Sequence, residues 1–177
     1  ACFKIIGELG TRVRRNIYMN DMCIQTTTGA TAIDAELIFH CVFRNLRLDG
    51  FSDYAVILRG GYFNSFRDVN IWDCGNGYKF TISTIDTEIP ANANKIDLGE
   101  IFLSEFSNGT GIYLNSAQGN YISNVCIEGF TKTGIVLDNN TTPQYGPFWN
   151  IILNPWIELP VADSSGIVLG RDAEDNY

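Results

Sequence analysis

An all-β, single-stranded parallel β-helix of about six coils is the fold the sequence predicts, and three observations lead there. Asn120-Tyr-Ile-Ser-Asn-Val-Cys-Ile-Glu128 recurs as Asn150-Ile-Ile-Leu-Asn-Pro-Trp-Ile-Glu158, and each copy runs on into Gly-Ile-Val-Leu, at 134–137 and 166–169. Within the copies apolar residues alternate with polar ones, the two-residue period of a strand with one buried face. Repeats of 23 to 30 residues punctuated by Gly and Asn fit coils of two or three short strands, each pairing with the next.

Along the chain, residues 1–15 read as a partial coil. A degenerate copy follows from Asn16-Ile-Tyr-Met-Asn20 through Gly29 to Asp34. Clearer copies start at residues 41, 64, 94, 120 and 150, each taken as position zero. Position two then reads Phe43, Phe66, Ile96, Ile122, Ile152, and position seven reads Leu48, Ile71, Ile101, Ile127, Ile157. Position five (Leu46, Val69, Gly99, Val125, Pro155) is more variable. A second strand in each coil supplies the inward pairs Val56/Leu58, Tyr78/Phe80, Ile112/Leu114, Ile135/Leu137 and Ile167/Leu169. Asn at position zero (64, 94, 120, 150) and at position four (45, 124, 154, with Asp68 in register) suits sharp corners and stacked amide ladders. Two insertions, 81–93 and 138–149, occupy the same turn and are expected to rise from one edge as groove walls. No linker divides residues 1–177, so one domain is expected. Neither end carries an amphipathic cap, which implies a piece of a longer β-helix or ends covered by partner subunits.

Composition narrows the function. Charged residues make up 18% and apolar residues 45%, a profile of ordered β structure rather than disorder. A net charge of −8 disfavours nucleic acid and anionic membrane surfaces. No apolar run reaches the roughly 18 residues of a membrane span. The five cysteines are odd in number and form no Cys-x-x-Cys, so unpaired thiols buried between coils are expected. His40 is the single histidine, inside an apolar run. Zinc sites and histidine-assisted nucleophiles are therefore poorly supported, and neither a metal nor a cofactor is expected.

The outward columns carry the chemistry. Position six reads Arg47, Asn70, Glu100, Cys126, Trp156, and position eight reads Asp49, Trp72, Phe102, Glu128, Glu158. Rungs of a parallel sheet lie about 4.8 Å apart, which sets Trp72 beside Phe102 with the three glutamates alongside. Exposed aromatic rings next to carboxylates suit sugars, whose apolar faces stack while their hydroxyls bond the acids. Glycoside hydrolysis uses two carboxyl groups, about 5–5.5 Å apart for retention or about 6.5–9.5 Å for inversion. Glu128 and Glu158, one rung apart, fit the shorter spacing, and Glu100 to Glu128, a diagonal, the longer. The candidate acids are thus Glu128, Glu158 and Glu100, with Trp72, Phe102, Trp156 and Arg47 as ligand contacts and Tyr145 and Trp149 as contacts from the second insertion. Asp86 and Glu88 in the first insertion are alternative acids. Outward positions of the second strand (Ile57, Lys79, Tyr113, Val136, Val168) are mostly apolar and call for a cover, most simply a homotrimer about the solenoid axis.

Cys41-Val-Phe-Arg-Asn-Leu-Arg-Leu-Asp-Gly50 and the following Asn-x-Ile-x-Asn-x-x-Ile-Glu and Gly-Ile-x-Leu coils resemble the pectate-lyase-like β-helices of bacteriophage tailspikes and capsule depolymerases. The resemblance spans roughly residues 16–170 and lies in coil style. It implies a right-handed, homotrimeric β-helix of a virion tail that binds bacterial capsule or O-antigen in a lateral groove and cleaves it, usually with Asp/Glu pairs. The Asn-Thr-Asp, Asp-Asp and Gly-His-Gly motifs of polygalacturonases are absent. Arg44, Arg47, Arg59 and Arg67 lack the acidic cluster of a calcium-dependent pectate lyase. An endo-acting glycosidase is the expected activity, with a lyase or a non-catalytic adhesin or fibre shaft as the alternatives.

Overall fold

Alternating side chains along each short strand leave one apolar face per strand, and the chain buries these faces by coiling upon itself. The computed structural model describes residues 1–7, 14–104, 109–129, 132–139, 146–158 and 163–170. Among these residues there is no helix, and every strand pairing is parallel. The result is a right-handed parallel β-solenoid of about five turns, consistent with a pectate-lyase-like β-helix.

Sheet one is built from rungs Tyr18–Gln25, Val42–Asp49 and Ser65–Cys74, then from split rungs: Lys95–Asp97 with Glu100–Leu103, Tyr121–Ser123 with Cys126–Gly129, and Ile151–Leu153 with Trp156–Ile157. Sheet two stacks Phe3–Ile6, Ile33–Phe39, Tyr54–Tyr62, Asn76–Thr81, Thr110–Asn115, Thr133–Asp138 and Ser165–Leu169. A narrow third face pairs Arg14–Arg15 with Ile38–Phe39, and Gly61–Tyr62 with Ala91–Asn92, with a bridge from Asn92 to Gln118.

The expected register holds for the copies that start at residues 41, 64, 94, 120 and 150. Phe43, Phe66, Ile96, Ile122 and Ile152 are consecutive partners, as are Leu48, Ile71, Ile101, Ile127 and Ile157. Sheet two aligns Val56, Tyr78, Ile112, Ile135 and Ile167 in the same way. These columns meet in the core, where the Phe43 and Phe66 rings stack at 4.7 Å and 5°. At roughly 25 cal/mol per Å² of apolar surface, this continuous stack is the main stabilising term.

Two left-handed columns turn the coil. Asn16, His40, Phe63, Ala93, Gly119 and Trp149 have positive φ just before position zero, and Asp21, Asn45, Asp68, Leu98, Asn124 and Asn154 have it at position four. The first copy therefore starts one residue later than its sequence reads: Tyr18 pairs with Val42, so Asn16 is a corner residue and Ile17 takes position zero. The position-zero asparagines serve differently. Asn64, Asn94, Asn120 and Asn150 are at most 1% exposed and form a ladder. The Asn64 side-chain and backbone N–H groups donate to Asn94 Oδ1, those of Asn94 to Asn120 Oδ1, and those of Asn120 to Asn150 Oδ1, at 2.9–3.1 Å. Each side chain also donates to a third-face carbonyl, of Ile38, Gly61, Ala91 and Ala117 in turn. Glycine breaks the apolar column at Gly99, where φ is 106° and a Cβ would lie 2.5 Å from the Val69 carbonyl oxygen.

The first insertion is anchored from a distance. Glu36 on sheet two is buried, and its carboxylate accepts from the Ser83 and Thr84 hydroxyls and the Thr84 and Ile85 amides. Burial alone would raise the Glu36 carboxyl, but these hydrogen bonds together hold it below its ordinary value. Residues Ala91–Asn92, at the end of this insertion, form a third-face rung. All five cysteines are free, as the sequence leads one to expect, but only Cys41 and Cys74 are buried between coils; Cys2 and Cys23 are exposed and Cys126 is half-buried.

Candidate functional site

Sheet one bends at position four, so positions six and eight form a separate outward face on its second arm. Strand pairing places Glu100 beside Cys126 and Cys126 beside Trp156 in one column. In the next column Asp49, Trp72, Phe102 and Glu128 follow one another, and the Glu158 amide bonds Ile127 in the rung beyond.

Contacts within this face run in a chain. Arg47 donates to Asp49 at 2.9 Å, and its guanidinium lies 4.7 Å from the centre of the Trp72 ring. Trp72, 36% exposed, tilts against Phe102 at 5.9 Å and 33°. Glu100 and Glu128 lie on adjacent rungs, and the Trp72 indole and the Glu128 carboxylate both act on the Glu100 carboxyl. Asn70 fixes the backbone here, its Oδ1 accepting the Glu100 amide at 3.0 Å.

Electrostatics follow from that crowding. Burial raises the Glu100 carboxyl above its ordinary value, and the hydrogen bond and negative charge of Glu128 add to the effect, outweighing the Trp72 hydrogen bond. The Glu100 carboxyl therefore keeps its proton to higher pH than a solvated carboxyl would. The Cys126 thiol is pushed up to about 11, by burial first and then by the charges of Glu128, Glu100 and Glu158. Cys126 is therefore a thiol at neutral pH and not a nucleophilic thiolate.

The structure brings together Glu100, Glu128, Trp72, Phe102 and Arg47. Trp156, 64% exposed, lies next to Cys126 at the far edge, and Glu158 is exposed one rung beyond Glu128. Trp149 stands apart, at the corner before the first arm. Tyr145 lies outside the described residues. Asp86 and Glu88 sit in the loop held by Glu36, where Asp86 Oδ1 accepts the Glu88 amide. The sequence reading missed the roles of Asn70 and of Asp49; their positions in the two columns, beside Glu100 and Trp72, are the signal that marks them.

Among the described residues no group of three or more His, Cys, Asp or Glu side chains could hold a metal ion. None forms a helix long and apolar enough to cross a membrane. The outward strip of sheet two is only partly open: Ile57 is buried, and the Lys79 ammonium lies between Tyr54 and Tyr113, 5.5 and 5.9 Å from the ring centres. These features define a parallel β-solenoid with an acidic, aromatic outward face. No protein-family model, curated protein or solved structure matches the chain.

Proposed function

We propose that the second arm of sheet one binds and cleaves a bacterial surface polysaccharide, capsule or O-antigen, as an endo-acting glycosidase. The observation that carries this reading is the placing of Glu100 and Glu128 on adjacent rungs beside the Trp72 and Phe102 rings, with the Glu100 carboxyl raised. Glu100 is the proton donor to the glycosidic oxygen. Glu128 is its carboxylate partner, and Glu158 lines the next rung. Trp72, Phe102 and Trp156 give sugar rings apolar faces to stack on, with Arg47 reaching hydroxyl or anionic substituents. The carboxyls of such a pair stand about 5–5.5 Å apart for retention or about 6.5–9.5 Å for inversion, with the glycosidic bond between them. On this reading the chain is part of a phage tailspike depolymerase at the virion tail. Its trimer would cover the half-buried strip of Tyr113, Val136 and Val168.

The crowding of Glu100 by Glu128 also suits a second reading, a β-helix that holds polysaccharide without cutting it, as an adhesin or fibre shaft. Reducing-end release from a panel of capsules and O-antigens separates the two. The wild type is expected to create new ends on its cognate polymer, and Glu128→Gln and Glu100→Gln each to lower that rate by about 10²–10⁴-fold. Retention of polymer without new ends establishes the second reading. Full cleavage by both variants removes these residues from the chemistry.

A further inference from the structure

The corner column before the first arm departs from what its geometry favours. Asn16, His40, Phe63, Ala93, Gly119 and Trp149 follow one another there, with φ between 52° and 59°. Gly and Asn take this conformation readily, whereas a bulky side chain costs about 1–2 kcal/mol. Phe63 and Trp149 accept that cost and leave their rings 60% and 57% exposed. Neither the turn nor the core requires an aromatic residue at either place, since Ala93 and Gly119 make the same corner. Strain kept at an exposed aromatic side chain points to use of that side chain.

The surroundings give the use a chemistry. Phe63 bonds Asn92, Ala93 bonds Gln118 and Gly119 bonds Phe148 through the backbone, so these corners lie in successive rungs. Phe63 and Trp149 are thus three rung spacings apart, about 14 Å, across a floor that holds nothing larger than a methyl group. His40 stacks flat on Phe63 at 5.2 Å and 15°, and Phe148 supports Trp149 at 6.0 Å. Beside the floor, Asn92 and Gln118 are half-buried, and their carboxamides have no protein partner among the described residues. On the other side Lys95 lies 5.4 Å from the Tyr121 ring centre and 3.3 Å from Asp97.

We propose that this corner is a second saccharide site, in which a stretch of sugar chain spans three rungs, stacks on Phe63 and Trp149 and hydrogen-bonds Asn92 and Gln118. A pyranose offers both a C–H face and hydroxyls, and so satisfies rings and amides together. An apolar protein surface would cover the rings and leave two carboxamides unpaired, at about 1–3 kcal/mol each. The site lies across the position-four bend from the acid pair, and it anchors polymer without touching the reacting bond. It rests on the reading that the ligand is a polysaccharide, but not on cleavage.

Affinity electrophoresis of the native protein, in gels cast with purified capsules and O-antigens, tests it. The wild type is expected to be retarded by its cognate polymer. The Phe63→Ala/Trp149→Ala double variant should need at least tenfold more polymer for equal retardation, with its solution mass unchanged. Phe63→Tyr should keep wild-type retardation, and Asn92→Ala/Gln118→Ala should weaken it about threefold or more. Equal retardation of wild type and the aromatic double variant overturns this site and leaves the acid-pair site standing. A fall in solution mass of that variant overturns it in favour of an interface between copies. No retardation of the wild type by any polymer overturns both readings. Retardation that depends on the two rings, without new reducing ends, supports this site and overturns only cleavage.

Discussion

Two kinds of side-chain column run along the same solenoid and obey opposite rules. Asn64, Asn94, Asn120 and Asn150 repeat one residue, are buried, and satisfy one another rung by rung. The outward columns vary from rung to rung except at Glu128 and Glu158, and where acids meet they crowd rather than complement each other, as Glu100 and Glu128 do. An amide carries a donor and an acceptor, so identical copies stack without conflict. A carboxylate carries only acceptors, so identical neighbours must share a proton or repel. Uniformity in a solenoid column is therefore what the fold requires, and change along a column marks where the fold has left the residue free for other work.

The sharpest way to break that contrast is to remove one rung of the ladder. Asn120→Ala leaves the Asn94 backbone and side-chain N–H groups without their buried acceptor and takes one donor from the Ala91 carbonyl and from Asn150 Oδ1, which keep the Gln118 and residue-120 amides. With each unsatisfied group costing about 1–3 kcal/mol, the variant should lose about 4 kcal/mol and melt roughly 10 °C lower. Thermal denaturation followed by circular dichroism measures it. A shift below about 2 °C would mean that the ladder is a passenger of the apolar stack and that uniformity says nothing about structural need.

Sequence columns anticipate backbone register because a strand period of two and a repeated coil leave little freedom: Phe43 to Ile152 and Leu48 to Ile157 align as read. The same periodicity does not say which of two corners an asparagine occupies. Asn16 and Asn64 look equivalent in sequence, yet one adopts a left-handed corner and the other a buried ladder position. Side-chain reach is likewise invisible to spacing. Rung spacing offers both Glu128 with Glu158 and the diagonal Glu100 with Glu128, and it does not say that Glu128 bears on Glu100. Nor does any local pattern announce that Glu36 anchors residues 83–85, nearly two coils away in sequence.

A third kind of polar residue sharpens the comparison. The Tyr78 hydroxyl is buried with no hydrogen-bond partner among the described residues, and burial alone pushes its ionisation far up. Its ring packs against Phe66 and Phe80. Tyr78→Phe keeps that packing and deletes the orphaned hydroxyl, so it should gain about 1 kcal/mol, read as a rise in the urea midpoint at unchanged slope. A loss of stability instead would reveal that the hydroxyl is satisfied within the folded core.

The smallest effect separates crowded acids from satisfied ones by the sign of their pH dependence. Glu36 and Asp97 are held below the ordinary carboxylate range, Asp97 chiefly by the Ser123 hydroxyl. Each therefore contributes stability above its ordinary value that is lost as pH falls. Glu100 is held above its ordinary 4.5. Below that pH both folded and unfolded chains are protonated and Glu100 contributes nothing. As pH rises through the unfolded and then the folded value, the unfolded state gives up its proton first, and stability falls. Glu100→Gln removes this penalty alone. At pH 7 the variant should melt about 1–2 °C above the wild type, and the two should coincide at pH 4. A variant less stable at pH 7, or a gap independent of pH, would show that Glu128 stabilises Glu100 rather than crowding it, and the outward columns would then follow the same rule as the ladder.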